Sequence, residues 1–416
     1  MNDDDRRSLV PRSPGSVAQT EGKALGVASR MTEGVLRVIQ GEERSLSPAR
    51  FRIGNYDFRA PDYQQILLWG NALGIRPERV VLILAEAKFP FSWEDRDSCL
   101  HSLSRSYDEL IEFQVENGAI TSMVIDLDLL PLDKLEWVPG LVLETVGFYH
   151  SYRKPSFEFV PLLPETVRQV VIGDLGIQKL SLANTPNLTH FVCWGNPLGE
   201  LDLSRVPELV KLHVAECELE TLDLAPVGKL THLNCQGNRL RALKLKPVRG
   251  LEFLNCRQNG IFKLSLRSVP KLREIHCGEN RFTKLVFPYF RDLGVLLCDG
   301  GFWREGRLRE LRIPELPNLV ELNCEYNRLQ ELDLCGVPRL RILCCEDNEI
   351  AKLDLSSVPE LVEFSGEKNR FEEISLSGLR RLQYVSIWGN PLLVVDFKDL
   401  PEGAWYCIPK STRINW

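Results

Sequence analysis

Nothing in this chain of 416 residues approaches the run of about 18 apolar residues that a membrane-spanning helix needs. The opening stretch, MNDDDRRSLVPRSPGS, has no apolar core of the kind a secretory leader carries, and Arg6 and Arg7 alone do not make a twin-arginine signal. Positive charge is not in excess: 51 Lys and Arg stand against 57 Asp and Glu, a formal net charge of −6. That excludes a global attraction to nucleic acid or to an anionic membrane. No phosphate-cradling GxxxxGK[ST] occurs, and no GxGxxG, HExxH or GxSxG. No C-x2-C pair occurs either, so the usual structural zinc spacing is missing. What remains is an ordinary globular composition, 44% hydrophobic and 26% charged, which excludes a wholly disordered or collagen-like chain.

The 12 cysteines keep time. Cys193, Cys235, Cys256, Cys277 and Cys298 lie 42, 21, 21 and 21 residues apart, and Cys324 and Cys345 resume the interval of 21 after a step of 26. A fixed stride marks a repeat rather than a disulfide knot. Aligned on Leu230, the units read LTHLNCQGNRLRALKLKPVRG, LEFLNCRQNGIFKLSLRSVPK and LREIHCGENRFTKLVFPYFRD, or L-x-x-L-x-C-x-x-N-x-L-x-x-L-x-L. Ten registers begin at Leu188, Leu209, Leu230, Leu251, Leu272, Leu293, Leu319, Leu340, Leu361 and Leu382. The ninth position is Asn in eight of them, with Cys217 and Gly301 the exceptions. Val167 to Leu182 fits one more copy, and Ile120 to Leu141 two degenerate ones.

On these residues the chain resembles the leucine-rich-repeat family, in its short bacterial-like form with Cys at the sixth position. The resemblance covers about two thirds of the sequence. It implies an α/β solenoid: a horseshoe with a parallel β-sheet on its concave face, preceded by a small helical N-terminal domain. The residues support that fold independently. Alternate side chains of x-x-L-x-C point inward, with the period of a strand. One coil cannot bury its leucines alone, whereas stacked coils bury a continuous core. The ninth-position Asn would bond backbone groups between neighbouring coils, so that Asn238, Asn259 and Asn280 form a ladder. The cysteine column reads as small buried core residues, and a regular file of free thiols fits a reducing compartment.

The expected organisation is a disordered tail over 1–22, a helical capping domain over 23–117, about thirteen repeats over 118–403 and a C-terminal cap over 404–416. Within the first domain, Tyr63–Leu73 and Pro77–Lys88 read as helices, with Asp62 as N-cap, Gly74 as stop and Pro77 in a first turn. Asp95–Phe113 carries a helical stripe, and Ala49–Phe58 a short strand or loop. The region has no dense basic face to support a DNA-binding helix pair. Its nucleophile-and-base candidates, Cys99 and His101, stand two apart in a helical stripe and so do not face each other. Trp405 and Trp416 are expected to cover the last leucines.

The step lengthens from 21 to 26 twice, once near Tyr149, Tyr152, Arg153 and Lys154 and once near Phe302, Trp303 and Arg304. Insertions in solenoids become loops, often on the binding face. These aromatics and arginines are either contact loops or residues folded back onto the core. Positions three, five, seven and eight of each unit are expected to face solvent on the concave sheet. They include His190, Trp194, His213, His232, Phe253, Arg257 and His276 in the N-terminal units. In the C-terminal units they include Glu325, Tyr326, Glu346, Glu367, Tyr384 and Trp388. The histidines could converge on a metal, but a partner-facing patch accounts for them better. The carboxylates from Glu321 to Glu367 form an acidic stripe, either a solvated face or a dock for a basic segment.

The function expected is therefore non-catalytic protein recognition by the concave face, in the cytoplasm or in a host cytosol. No cofactor, metal, nucleic acid or membrane insertion is expected. The alternative is an effector or defence protein whose N-terminal domain acts while the repeats select the target. A surface adhesin would need paired disulfides. The sequence leaves no room for the C-terminal ubiquitin-ligase domain that some bacterial repeat effectors carry.

Overall fold

The computed structural model describes residues 51–53, 55–91, 109–117, 119–126, 140–149, 157–159, 163–301, 306–398, 401–410 and 412–415. The period of two in the first half of each repeat becomes a short strand, and these strands form one sheet of fifteen. Fourteen run parallel, from Ala119–Asp126 through Thr145–Tyr149, Gln169–Gly173 and His190–Trp194 to Tyr384–Ser386 and Trp405–Cys407. Equivalent positions pair without slippage: Leu212 lies beside Leu233, Leu233 beside Leu254, Leu254 beside Ile275. The insertion before Leu319 leaves that register intact, since Leu296 still pairs with Leu322. The strands make up one wall of a solenoid of about twelve turns. Each coil returns through turns in which a buried Val packs inward, as at Val227, Val248 and Val269. Asp223, Asp333 and Asp354 accept the backbone N–H two residues on and so close these return turns.

The leucine positions join one continuous core from Ile53 to Phe397. The cysteines stack within it: Cys235, Cys256 and Cys277 are fully buried, and each donates its backbone N–H to the next coil. Burial pushes the Cys256 thiol up to about 12 and Cys235, Cys277 and Cys298 well above the usual range. Such thiols are inert packing groups. Among the described residues ten cysteines are free, while Cys344 is disulfide-bonded, so the expectation of reduced thiols holds for the column and fails at Cys344.

The asparagine ladder forms between coils. The Asn238 amide donates to Val214 O at 2.7 Å and Cys235 O at 2.9 Å. Its Oδ1 accepts the N–H groups of Cys217 and Leu219 at 3.1 and 2.9 Å. Asn259, Asn280, Asn348 and Asn369 donate in the same way to the preceding coil. At the exception, Cys217, the thiol donates to Cys193 O at 3.1 Å and does part of the same work.

Among the described residues two helices precede the coils, α1 (Ala60–Leu73) and α2 (Pro77–Glu86). Gly74 stops α1 in the left-handed conformation, with φ 67°. Asp62 is not the N-cap, a position held by Arg59. It lies inside the first turn, fully buried, and accepts the Ile120 N–H at 2.8 Å while pairing with Arg59 at 3.0 Å. It therefore ties the helices to the first coil. The region expected as one helix over Asp95–Phe113 is a strand at Glu109–Glu112, paired antiparallel with Lys88–Phe91. Leu110 and Ile111 fit a helical stripe as well as a strand, and the pairing of this stretch with Lys88–Phe91 decides between them. The rest of that stretch, with Cys99 and His101, and the tail over 1–22 lie outside the described residues. Phe51–Ile53 and Tyr56–Phe58 form a hairpin. No helix among the described residues is long and apolar enough to cross a membrane.

Candidate functional site

The strands present three parallel columns on the concave wall, from the third, fifth and seventh positions of each coil. The middle column is not the solvent-facing row expected from the sequence. His213, Asn234, Asn255, His276, Asn323 and Cys344 are all buried there. Strands about 4.8 Å apart leave a short central side chain closed over by longer ones on either side. The asparagines in this column serve the turn: Asn234, Asn255 and Asn323 each accept the backbone N–H two residues on, at 3.0–3.1 Å. In the third column Phe253 and Glu321 are buried as well.

The N-terminal half of the wall is rich in aromatic rings, with Lys211 and Glu274 among its third-column residues. Trp194 lies over Gly173 of the preceding coil, where a Cβ would sit 2.4 Å from the indole, so only glycine leaves it room. His213 packs 6.4 Å from Trp194, and burial lowers its pKa to about 4, leaving it uncharged. His232 stacks on Phe253 at 6.1 Å, and Phe253 meets His276 edge-on at 5.5 Å. The histidines do not converge. His190 and His232 bond Thr189 and Thr231 through Nδ1, while His276 bonds Glu274 at 2.7 Å. Among the described residues no three His, Cys, Asp or Glu side chains form a group able to hold a metal ion.

The C-terminal half is acidic, and Arg257 marks the boundary. Its guanidinium reaches Glu279 at 2.9 Å and Asp299 at 2.8 Å. From Asp299 the seventh column continues through Glu325, Glu346 and Glu367 on successive coils. Asp299 belongs to the stripe but escaped the sequence reading, although counting seven from Leu293 identifies it. Burial, with Glu346 and Asp299 nearby, pushes Glu325 up to about 8. Burial also raises Glu346, whose carboxylate accepts the Tyr326 hydroxyl. Tyr326 is thus half-buried rather than free on the face, and the Ser386 hydroxyl donates to Glu367. Beyond the carboxylates, Tyr384 and Trp388 are exposed as expected. Lys368 sits 5.5 Å over the Trp388 ring. Trp405 does not cover the last leucines: it is 52% exposed and stacked on Tyr384 at 4.7 Å, where it extends the wall.

A further feature has no motif signature. The eighth position is left-handed in coil after coil, by Gly195, Gly237 and Gly389 but also by Glu216, Gln258, Glu279, Tyr326, Asp347 and Lys368, with φ from 46° to 54°. The chain must swing there from strand into the asparagine turn, and six non-glycine residues bear the strain. Of the insertion residues, Tyr149 ends a strand, whereas Tyr152, Arg153, Phe302, Trp303 and Arg304 lie outside the described residues, as does Trp416.

No protein-family model matches the chain, and a comparison with curated proteins finds no match. Solved structures do resemble it. A leucine-rich-repeat protein from Leptospira interrogans is 20% identical with a TM-score of 0.53, over 66% of this chain and 78% of that one. The functional domain of InlJ from Listeria monocytogenes, which includes a cysteine ladder, is 18% identical with a TM-score of 0.39, over 67% and 72%. YopM from Yersinia enterocolitica is 21% identical with a TM-score of 0.40, over 73% and 77%. At these identities the likeness concerns the fold, and it rests on the Leptospira protein.

Proposed function

We propose that this leucine-rich-repeat solenoid is a non-catalytic recognition protein whose concave wall binds a partner protein, a basic segment of which lies along the acidic column. The observation that carries the reading is the run of Asp299, Glu325, Glu346 and Glu367 on successive coils, the first buried and the three glutamates half-buried, continued by exposed Tyr384 and Trp388. Carboxylates stacked at strand spacing repel one another, and a proton on Glu325 relieves that repulsion at neutral pH. A guanidinium or ammonium from the partner would relieve it better, releasing the proton. The flanking rings suit the same cations. The wall is built on a rigid sheet, so little ordering cost accompanies binding. We place the protein in a reducing compartment on its file of free thiols, with the disulfide at Cys344 as the one observation against it.

The test is capture of partners by the wild type against a Glu325→Lys, Glu346→Lys, Glu367→Lys variant, with circular dichroism to confirm folding. The variant is expected to lose a partner that the wild type retains. Identical capture by both would remove the acidic column from the reading. Affinity for a basic peptide should also rise with pH as Glu325 gives up its proton.

A further inference from the structure

Beyond the concave wall each coil turns at its ninth-position asparagine and shows its tenth and twelfth residues outward, while the eleventh (Leu240, Ile261, Leu308, Leu329) is buried. Backbone bonds stack these turns: Gly260 N–H to Leu240 O at 2.8 Å, Arg281 to Ile261 at 2.8 Å, Arg309 to Thr283 at 2.9 Å. The rim so formed carries Arg239 and Arg241, then Gly260 and Phe262, then Arg281 and Thr283, then Arg307 and Arg309. Gly260 interrupts the outward row, and its ideal Cβ would stand 3.2 Å from Leu240 O. The gap opens a groove of about 470 Å³ whose sides are Arg239, Arg241, Arg281 and Arg307. Arg307 also lines the next groove, about 600 Å³, with Thr283, Arg309 and Arg328.

Some charges elsewhere on the solenoid are paired between coils. Lys229 pairs with Glu208, Arg381 with Glu360, and Arg370 with Glu349 at 2.9 Å. Within the groove Arg239 has Glu218 at 2.8 Å, and the carboxylate at the lip, Glu279, is already engaged by Arg257. Among the described residues no carboxylate pairs with Arg241, Arg281, Arg307 or Arg309. Arg241, Arg281 and Arg307 thus line one cleft, and Arg307 and Arg309 the next, with no unengaged carboxylate among the described lining residues.

We infer that this arginine rim is a second docking surface, for an acidic, carboxylate-rich stretch of the partner protein. The inference rests on the proposed reading only in taking the partner to be a protein. Every cation on this stretch of the rim's tenth and twelfth positions is arginine, whose planar fork binds carboxylate in bidentate fashion. From Arg239 to Arg328 is four coil steps, about 19 Å at strand spacing, which an extended peptide spans in about six residues. A longer polyanion such as nucleic acid would leave the groove and meet Asp299 and Glu325 on the adjoining wall. A partner with separate basic and acidic stretches would engage wall and rim together.

The test is fluorescence anisotropy on the full chain, with a labelled peptide of alternating Glu and Asp and a labelled oligothymidylate of equal length. The peptide is expected to bind, to weaken as NaCl is raised, and to lose about tenfold or more in affinity with Arg281→Glu, Arg307→Glu, Arg309→Glu. Lysine at the same three positions should keep part of the affinity. The Glu325→Lys, Glu346→Lys, Glu367→Lys variant should bind the acidic peptide at least as well as the wild type, so failure of the wall reading leaves this result standing. Absence of peptide binding, indifference to arginine reversal, or tighter binding of the oligothymidylate would each overturn the assignment.

Discussion

At the residue scale, two side chains carry unusual weight. Asn238 satisfies two N–H groups and three carbonyls at once, three of these five belonging to the preceding coil. Replacing it with Ala strands buried donors, each costing about 1–3 kcal/mol. Asn238→Ala is therefore expected to lower unfolding free energy by about 2–4 kcal/mol, read from urea titration, whereas a change under half that would deny the ladder its structural role. The same ladder was legible in the sequence, because an Asn repeated at a fixed stride has few other uses. The burial of His213 and Phe253 was not, because it depends on what stands in the columns beside them. Glu325 gives a second prediction. Its folded pKa of about 8 lies above the ordinary carboxylate value, so the folded state holds its proton longer than the unfolded state. Its contribution is fully present below the unfolded pKa and is lost as pH rises towards 8. Glu325→Gln should flatten the fall in melting temperature between about pH 5 and 8. An unaltered pH profile would remove Glu325 as its source.

At the scale of elements, the joint between α1 and the first coil rests on one carboxylate. Asp62 links Arg59 to the Ile120 N–H inside a core shared with Trp69 and Met123. Asp62→Ala should leave the repeats intact while hydrogen exchange quickens across Ala119–Asp126, because the joint is local. Equal protection in both proteins would show that packing alone holds the joint. The sequence marked Asp62 but gave it the commoner role of a cap. Composition cannot tell a carboxylate at a helix start from one turned towards a distant strand. The strand at Glu109–Glu112 was missed for a related reason: Leu110 and Ile111 satisfy a helical stripe as well as a strand, and only their partner Lys88–Phe91 decides.

At the scale of the whole molecule, the sequence carried the architecture almost complete, since a period repeated over ten registers states the fold many times. It carried less of the wall. Position counting put Glu325, Glu346 and Glu367 in one column but left out Asp299, could not separate exposed Trp388 from buried Glu321, and could not show that Trp405 extends the wall rather than covering its end. Arg241, Arg281, Arg307 and Arg309 drew no notice because their significance lies in the lack of carboxylates paired with them among the described residues, a property of three dimensions.

The uniform pairing of coil on coil makes the turns interchangeable parts. Excising residues 230–250 would bring Asn259 opposite the Cys217 and Leu219 N–H groups that Asn238 now serves, and every later bond would re-form one place along. A shortened protein of this kind should still melt cooperatively, whereas loss of half that length should not fold. By the same logic, lineages could lengthen or trim the reading surface in whole steps without redesigning any of it.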